Sequence, residues 1–342
     1  MIKDRKTKWI VRILLLVGTI ISLYFVPWLL VKAWILPVPD TVQEQVEEAV
    51  SHGFDGVLVY VDQAGKSPQY LAAGWHSKES QIPARPQALF KIASISKLYD
   101  AVAVTKLVSA GRLSLDKTIA DYLPELIGKI ENADKITLRL MLQHRSGLPN
   151  FTDAPRFWES PTETYEESLA LILNKPANFD PGEDYEYCNT NYLLLNKIMD
   201  NVLGYDNFQF IREEILFPLD LHRTFGSLSE VNIDEVMSGY HVGYPHDLKT
   251  NDYGMHATAQ DVGAFVKALN DGSLFESGEQ EIYTSIYEYE HSGWVPGYQS
   301  FVKYYKDIDA VVVAFYSTTD PKLYNWNLSQ IINNRIVKIV KS

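Results

Sequence analysis

Ser94 and Lys97 are residues whose types and spacing could carry out covalent chemistry. In a helix that begins near Ser94, residues three apart share a face, so the Lys97 amine would point at the Ser94 hydroxyl. A serine hydroxyl is a poor nucleophile unless a neighbouring base removes its proton, and an unprotonated lysine can be that base. The pair predicts acyl transfer, and the backbone N–H of Ser94 is a candidate for stabilising the negative charge that develops. The structural alternative is a helix-capping serine beside a solvated lysine.

Two further motifs could complete such a site. Tyr187 and Asn189 supply a phenol and an amide, and His291 precedes Gly293 by two residues. Each motif also has a second copy elsewhere, so the patterns alone identify nothing. The copies are Ser114 with Lys117, Tyr205 with Asn207, and His241 with Gly243. Context favours the first set, because Ser94 leads into an apolar helix whereas Ser114 lies in a polar connection.

The overall composition is that of a globular protein without a polyanionic partner. The 342 residues are 46% hydrophobic and 22% charged, with a formal net charge of −12. Residues 1–39 carry six bases and one acid, so residues 40–342 hold a net charge of −17, which argues against nucleic acid binding. The single cysteine, Cys188, excludes an intrachain disulfide. No metal-ligand spacing or phosphate-binding loop occurs, and we expect no cofactor.

The N-terminal region predicts a membrane anchor. Residues 13–31 form a run of nineteen uncharged residues, which as a helix would nearly span the ~30 Å core of a bilayer. Basic residues precede this run, so the positive-inside rule predicts a single-pass protein with a cytoplasmic N-terminus and the remainder outside the cytoplasm. A cleaved signal peptide is the alternative, but the run is long and lacks a small-x-small site. Trp28 and Trp34 suit the outer interface, and residues 36–39 read as a short stiff linker.

Hydrophobic periodicity predicts the helices and strands that carry these motifs. Asp40 and Gln43 form a possible capping box at the start of a helix that reaches Val50. Strands are predicted at 56–62, 69–74, 282–290, 298–306 and 310–316, and helices at 95–109, 138–144, 164–173, 190–202, 207–215, 259–269 and 326–340.

This order predicts an α+β fold. Helix and strands at both ends imply that the termini complete one antiparallel sheet, flanked by terminal helices, with an inserted all-helical lobe between them. We expect a cytoplasmic tail, a transmembrane anchor and a linker in residues 1–39, and one catalytic domain in residues 40–342. Its α/β lobe comprises 40–93 and 280–342, its helical lobe about 94–279, and the ligand site lies in the cleft between them.

The motifs resemble those of the serine β-lactamase-related family, which includes class C β-lactamases, D-alanyl-D-alanine carboxypeptidases, D-aminopeptidases and esterases. The resemblance extends over about 56–318 and includes, besides the three motifs, residues 109–116, 142–148, 181–183 and 254–261. It implies the β-lactamase/transpeptidase-like fold. It also implies that Tyr187 exchanges protons with Lys97, that Asn189 binds the substrate amide, and that the Trp294 N–H is the second donor to the oxyanion. Gly293 would let the substrate approach the strand closely.

His291 departs from the family pattern, because many β-lactamases and carboxypeptidases have lysine there. A histidine is mostly neutral at pH 7 and is a poor anchor for a substrate carboxylate. We therefore predict a membrane-anchored serine hydrolase that forms an acyl-enzyme with a small-molecule or peptide ester or amide. A β-lactamase or D,D-carboxypeptidase proper is one alternative, and a catalytically weak penicillin-recognising sensor or scaffold is another. The substrate and the oligomeric state stay open.

Overall fold

A computed structural model describes residues 5–342, and within them a six-stranded antiparallel sheet with helices on both faces. The strands are β1 (Gly56–Gln63), β2 (Gln69–Ser77), β3 (Ile82–Pro83), β4 (Phe90–Lys91), β5 (Thr224–Phe225), β6 (Tyr240–His241), β7 (His256–Ala257), β8 (His291–Val295), β9 (Tyr298–Tyr305), β10 (Ala310–Tyr316) and β11 (Thr318–Thr319). The large sheet has the order β3-β2-β1-β10-β9-β8, so the N-terminal and C-terminal strands meet at β1 and β10.

The helices belong to two groups. The terminal ones are α1 (Arg5–Tyr24), α2 (Trp28–Ile35), α3 (Val42–Ser51) and α12 (Tyr324–Lys341). The intervening ones are α4 (Ser96–Ser109), α5 (Ile119–Tyr122), α6 (Leu138–Leu142), α7 (Tyr165–Ala170), α8 (Asn189–Leu203), α9 (Asn207–Ile211), α10 (Ala259–Asp271) and α11 (Glu279–Thr284). This arrangement confirms the predicted α+β fold class.

Side-chain alternation along β1 divides the core between the two faces of the sheet. Val57, Val59 and Val61 pack with α3 and α12, whereas Leu58 and Tyr60 pack with the intervening helices. Successive side chains of a strand point to opposite faces, so one strand serves both cores. Helix α4 lies inside the larger core and is buried on nearly all sides from Lys97 to Leu107, which explains its apolar sequence.

Four details differ from the sequence predictions. Residues 282–290 are not a strand, because α11 occupies the first part and packs on α4 with Tyr283 fully buried. Tertiary packing overrides the β propensity of this tyrosine-rich stretch. The capping box uses Thr41 and Glu44, since the helix begins at Val42. The inserted lobe is not all-helical, because it contains β5, β6 and β7. Strands β5 and β7 form a small sheet with β4, and β6 pairs with β11, so these strands join the two lobes.

The fourth difference concerns the predicted anchor. The apolar run does not form one helix, because α1 ends at Tyr24 and α2 begins after Pro27, which has no backbone N–H to continue a helix. Within residues 5–342, α1 is the helix long and apolar enough to cross a membrane, with a mean hydropathy of 1.6. Lys3 and the beginning of the predicted tail lie outside the described residues.

Helix α2 and the linker are fixed to the rest of the protein by one buried side chain. The guanidinium of Arg335 in α12 donates to the backbone oxygens of Ala33, Leu36 and Pro37 at 2.7–3.1 Å. It also donates to Gln45 and Glu48 of α3, so all five of its N–H groups have acceptors. The linker is therefore part of the folded domain.

Candidate active site

Ser94 is the middle residue of a helical turn, Ala93–Ile95, that leads directly into α4. Ala93 has φ +49°, an unfavourable conformation for a residue with a side chain, so the backbone turns sharply there. Ser94 makes no capping hydrogen bond to α4, since Ile95 is the cap residue. Its hydroxyl is partly exposed and lines the cleft. The capping alternative is wrong, and the chain presents the serine to the cavity.

Lys97 lies one turn further along, and its amine faces Ser94. The Nζ atom is 3.3 Å from Ser94 Oγ and donates to Asn189 Oδ1 at 2.9 Å. The side chain is only 6% exposed, so it is not the solvated lysine of the structural alternative. Asn189 is the first residue of α8 and comes from the other side of the cleft. The structure thus brings these three side chains together.

Asn189 is itself oriented by neighbours. Its Nδ2 donates to Thr152 Oγ1 at 3.1 Å, and its backbone N–H donates to Asn150 Oδ1 at 3.0 Å. Asn189 does not cap α8, because Cys188 is the residue that precedes the helix and the Asn189 amide is hydrogen-bonded elsewhere. Cys188 is buried with its thiol toward the Leu148 carbonyl oxygen, and burial raises its pKa. The thiol therefore points away from the cleft.

Tyr187 presents its ring to the Lys97 amine, whose Nζ is 5.2 Å from the ring centroid. The Tyr187 ring also stacks on His144, with centroids 4.4 Å apart. Tyr187 is 36% exposed and lines the cavity, so it is not a core aromatic.

His144 holds the Tyr187 segment in place, a role that its spacing in the sequence did not reveal. Its Nδ1 accepts the backbone N–H of Cys188 at 3.0 Å, next to Tyr187 in the chain. Burial, with smaller contributions from Lys97 and His291, lowers the pKa of His144 to about 3, so the ring is neutral. A neutral ring can both accept this hydrogen bond and stack on Tyr187 without adding charge beside Lys97.

His291 lies at the start of the edge strand β8, and both ring nitrogens are occupied. Nδ1 is 2.6 Å from the Ser292 carbonyl oxygen, which can only accept, so Nδ1 carries the proton. Nε2 then accepts from the Tyr287 hydroxyl at 2.9 Å. Burial, and secondly Lys97, lowers the pKa of His291 to about 4. At neutral pH this position carries no positive charge.

Gly293 is required by packing against the serine turn. A Cβ at this position would collide with the Ile92 carbonyl oxygen, the Ser300 hydroxyl and the Ala93 side chain. The glycine therefore lets β8 approach the turn that carries Ser94, and Trp294 follows it directly. Close approach of the substrate to Gly293 stays a prediction.

Asp100 is a buried carboxyl that the sequence reasoning missed. It lies one turn beyond Lys97 on α4, is 6% exposed and lines the cavity. Burial raises its pKa to about 7, against the opposing effect of Lys97. The signal available in the sequence was its i+3 spacing from Lys97 within an otherwise apolar helix.

The cavity around these residues has a volume of about 1290 Å³ and continues past β8 toward α12. Its charged lining residues are mostly acidic: Asp100, Asp252, Glu288 and Glu290, against Lys97 and Lys303. Lys303 is paired with Glu290 at 2.7 Å. Within residues 5–342, no cluster of three or more potential metal ligands was found.

A family and a structural comparison agree on the class of protein. Residues 38–286 match the family model described as Beta-lactamase, which is most of the chain, so this protein belongs to the beta-lactamase family. This membership confirms the family resemblance and supports the predicted class, a serine hydrolase.

Solved structures show the same fold at low sequence identity. The D-amino acid amidase from Ochrobactrum anthropi SV3, solved with L-phenylalanine amide, is 22% identical with a TM-score of 0.77, over 88% of this chain and 97% of that one. The penicillin binding protein from Bacillus halodurans is 19% identical with a TM-score of 0.71, over 86% and 99% of the chains.

A curated relative, Protein flp of Staphylococcus aureus (strain MW2), is 26% identical over 190 residues. The alignment covers 54% of this chain and 38% of that protein, so the match spans well under half the length of this relative.

Proposed function

We propose that this protein is a serine hydrolase that forms an acyl-enzyme at Ser94. The observation that carries the proposal is the 3.3 Å contact between the Ser94 hydroxyl and the buried amine of Lys97, inside a cavity large enough for a substrate. Asn189 and Tyr187 hold that amine from two further directions. Family membership supports the same reaction class.

In the proposed reaction, Lys97 acts in its unprotonated form and accepts the proton of Ser94 while Oγ attacks the substrate carbonyl carbon. The N–H groups of Ser94 and Trp294 stabilise the resulting oxyanion. Tyr187 gives its hydroxyl proton to the leaving amine or alcohol and is reprotonated from Lys97. Water then attacks the acyl carbon and gives one proton to Lys97, assisted by Tyr187. The bond between the acyl carbon and Ser94 Oγ breaks as Lys97 returns that proton to Oγ, which releases the carboxylic acid and restores the free serine.

The substrate we propose is an ester or amide that does not depend on a carboxylate for binding. His291 is neutral with both nitrogens bonded, and the cavity lining is predominantly acidic. A β-lactam or a peptide C-terminus would therefore meet no free cation at the His291 position. Similarity to the D-amino acid amidase supports amino acid amides as candidates, and Asn189 would bind the substrate amide.

Labelling of Ser94 tests the proposal. A fluorophosphonate probe should label the protein, and Ser94→Ala should abolish the label, because an activated serine displaces fluoride from the probe and becomes phosphonylated. Ser114→Ala is the matched control, since Ser114 heads the second copy of the motif. Undiminished labelling of Ser94→Ala would overturn the assignment.

A substrate panel then separates the alternatives. Aryl esters and D-amino acid amides should be turned over faster than a chromogenic cephalosporin or D-alanyl-D-alanine peptides. A strong preference for the cephalosporin would support a β-lactamase instead, and a single burst without turnover would support a sensor.

We also propose that α1 anchors the protein in a membrane, with its N-terminus in the cytoplasm. The helix has 20 residues, about 30 Å, and none of its side chains is buried in the protein. A C-terminally tagged protein should stay in the membrane pellet after alkaline carbonate extraction and keep its full mass. Recovery of a shortened soluble product would instead indicate a cleaved signal sequence.

A further inference from the structure

Lys91 is a fully buried lysine three residues before Ser94. It lies in β4, which leads directly into the serine turn, and none of its surface is exposed. Lysine is rarely buried completely unless its ammonium group has partners. The proposed reaction does not use this group, so its position calls for a separate explanation.

The partners of Lys91 belong to one segment of the cleft wall. We define the wall loop as residues 242–255, between β6 and β7. Lys91 Nζ donates to the Leu248 carbonyl oxygen at 2.6 Å and to that of Asn251. It also lies 5.1 Å from the ring centroid of Tyr253, and 4.8 Å from that of Tyr298 in β9. The Lys91 amine therefore connects the wall loop to strands β4 and β9.

The backbone supports the same connection. β4 pairs with β7, with Lys91 opposite His256, so the strand that carries Lys91 also holds the end of the wall loop. The loop itself contains no helix or strand. Between its ends, its conformation depends on contacts such as those of Lys91.

The wall loop contributes an aromatic surface to the cavity. Tyr253 packs edge-on against Trp158 with centroids 6.2 Å apart, and Trp158 packs edge-on against Trp294 at 5.7 Å. All three rings line the cavity that contains Ser94. Trp294 also carries the N–H proposed to bind the substrate carbonyl. An apolar group attached to that carbonyl would lie against these rings.

We propose that Lys91 is a positioning residue that holds the wall loop so that Tyr253 and Trp158 bind a large apolar acyl group of the substrate. This inference rests on the proposed acyl-enzyme function and adds its substrate class: acyl groups with an aromatic or bulky apolar side. Lys91 does not contact the reacting atoms. Its loss therefore weakens binding of such substrates more than it slows the chemical step.

The charge of Lys91 predicts a second observable effect of its role, a dependence of KM on pH. Burial lowers its pKa to about 7, while Asp252 and Asp247 oppose this shift, and the neighbouring His256 is neutral because its own pKa is lowered to about 4. Above pH 7 the neutral amine keeps hydrogens for the two carbonyl oxygens but loses its attraction to the rings of Tyr253 and Tyr298. The KM for aromatic substrates should therefore rise as the pH increases above 7.

The test compares p-nitrophenyl acetate with p-nitrophenyl 3-phenylpropionate in the full-length protein. Lys91→Met keeps the length of the side chain but cannot donate to the carbonyl oxygens. We expect the KM for the phenylpropionate to rise about tenfold or more, with the acetate changed less than about threefold and kcat for both nearly kept. In Lys91→Arg, the ratio of the KM for the phenylpropionate to the KM for the acetate should return part of the way to the wild-type value. The rise of this ratio above pH 7 should be absent.

Further variants keep the test decisive if Lys91→Met does not fold. Tyr253→Leu leaves Lys91 intact and should lower the preference for the phenylpropionate in the same direction. An unchanged ratio of the two KM values in Tyr253→Leu, or in a folded Lys91→Met, overturns the inference. Fluorophosphonate labelling of Ser94, measured in parallel, tests the proposed function separately. If the wild-type protein were not labelled at Ser94, the acyl-enzyme itself would be refuted.

Discussion

At the scale of single residues, environment decides which of two identical motifs can do chemistry. Ser94 and Lys97 have the same spacing as Ser114 and Lys117, yet Lys97 is buried against Asn189, whereas Lys117 is exposed. A buried amine that is held by hydrogen-bond partners stays beside one neighbouring hydroxyl and can exchange a proton with it. A hydrated ammonium group has no such fixed position. The difference between the copies is therefore testable by matched substitutions.

Replacement of Lys97 by methionine should lower the rate of Ser94 acylation by about 10²–10⁴-fold, because the serine would lose its proposed general base. The rate is measured as the time course of fluorophosphonate labelling at saturating probe. Lys117→Met should leave the rate within about twofold of the wild type. Equal losses in both variants would show that the rate reports stability rather than base catalysis.

At the scale of elements, Arg335 connects α12 to α2, α3 and the linker. Its five hydrogen bonds include three to backbone oxygens at the end of α2, where a helix leaves carbonyl groups unpaired. The region predicted as a spacer between membrane and enzyme is consequently held against the catalytic domain. If α1 spans a membrane, the position of the cleft relative to the bilayer is set by this contact.

Arg335→Met should reduce the free energy of unfolding by about 3 kcal/mol, because it leaves Glu48 and the backbone oxygens of α2 and the linker without their donor. The measurement is the urea midpoint of the full chain in detergent. Lys338→Met, on the exposed face of the same helix, is the control and should shift the midpoint little. A similar shift in both variants would contradict the role assigned to Arg335.

At the scale of the whole molecule, buried histidines link stability to pH: burial lowers the pKa of His52, His76 and His241, and more strongly that of three others. The pKa values of His144, His256 and His291 are lowered to about 3, 4 and 4, mainly by burial. Unfolding returns each to its usual value near 6.5, so the unfolded chain binds more protons between pH 6.5 and 4. Asp100 acts in the opposite direction, because its pKa is raised to about 7 in the fold.

The free energy of unfolding should therefore decrease as the pH falls from 6.5 to 4, by up to about 1.4 kcal/mol per pH unit for each histidine. Urea midpoints at pH 6.5 and pH 5 measure the slope. His256→Leu should reduce the slope of the free energy of unfolding against pH. Substitution of the exposed His222 by leucine should leave this slope unchanged. A slope that is the same in His256→Leu and the wild type would be incompatible with this origin.

Much of the architecture was accessible from periodicity. The alternation in β1 and β10 and the apolar helix α4 each depend on residues close together in the chain, and they identify the fold class. The same locality explains the errors. The tyrosine-rich residues 282–290 have strand propensity, but the contact of α11 with α4 makes part of them helical. Pro27 interrupts the apolar run. The last residues of the run, 28–31, belong to α2, which packs on α12.

The Ser94–Lys97 geometry follows from the sequence, because a three-residue spacing at a helix start brings the two side chains together wherever the helix lies. The surroundings of the pair, in contrast, depend on the tertiary fold. Asn189 meets Lys97 across 92 positions, Lys91 reaches a carbonyl 157 positions away, and burial, with Lys97, lowers the pKa of His291 so that it is neutral. These contacts depend on how distant elements pack and on which polar groups lose water, and no local spacing encodes them.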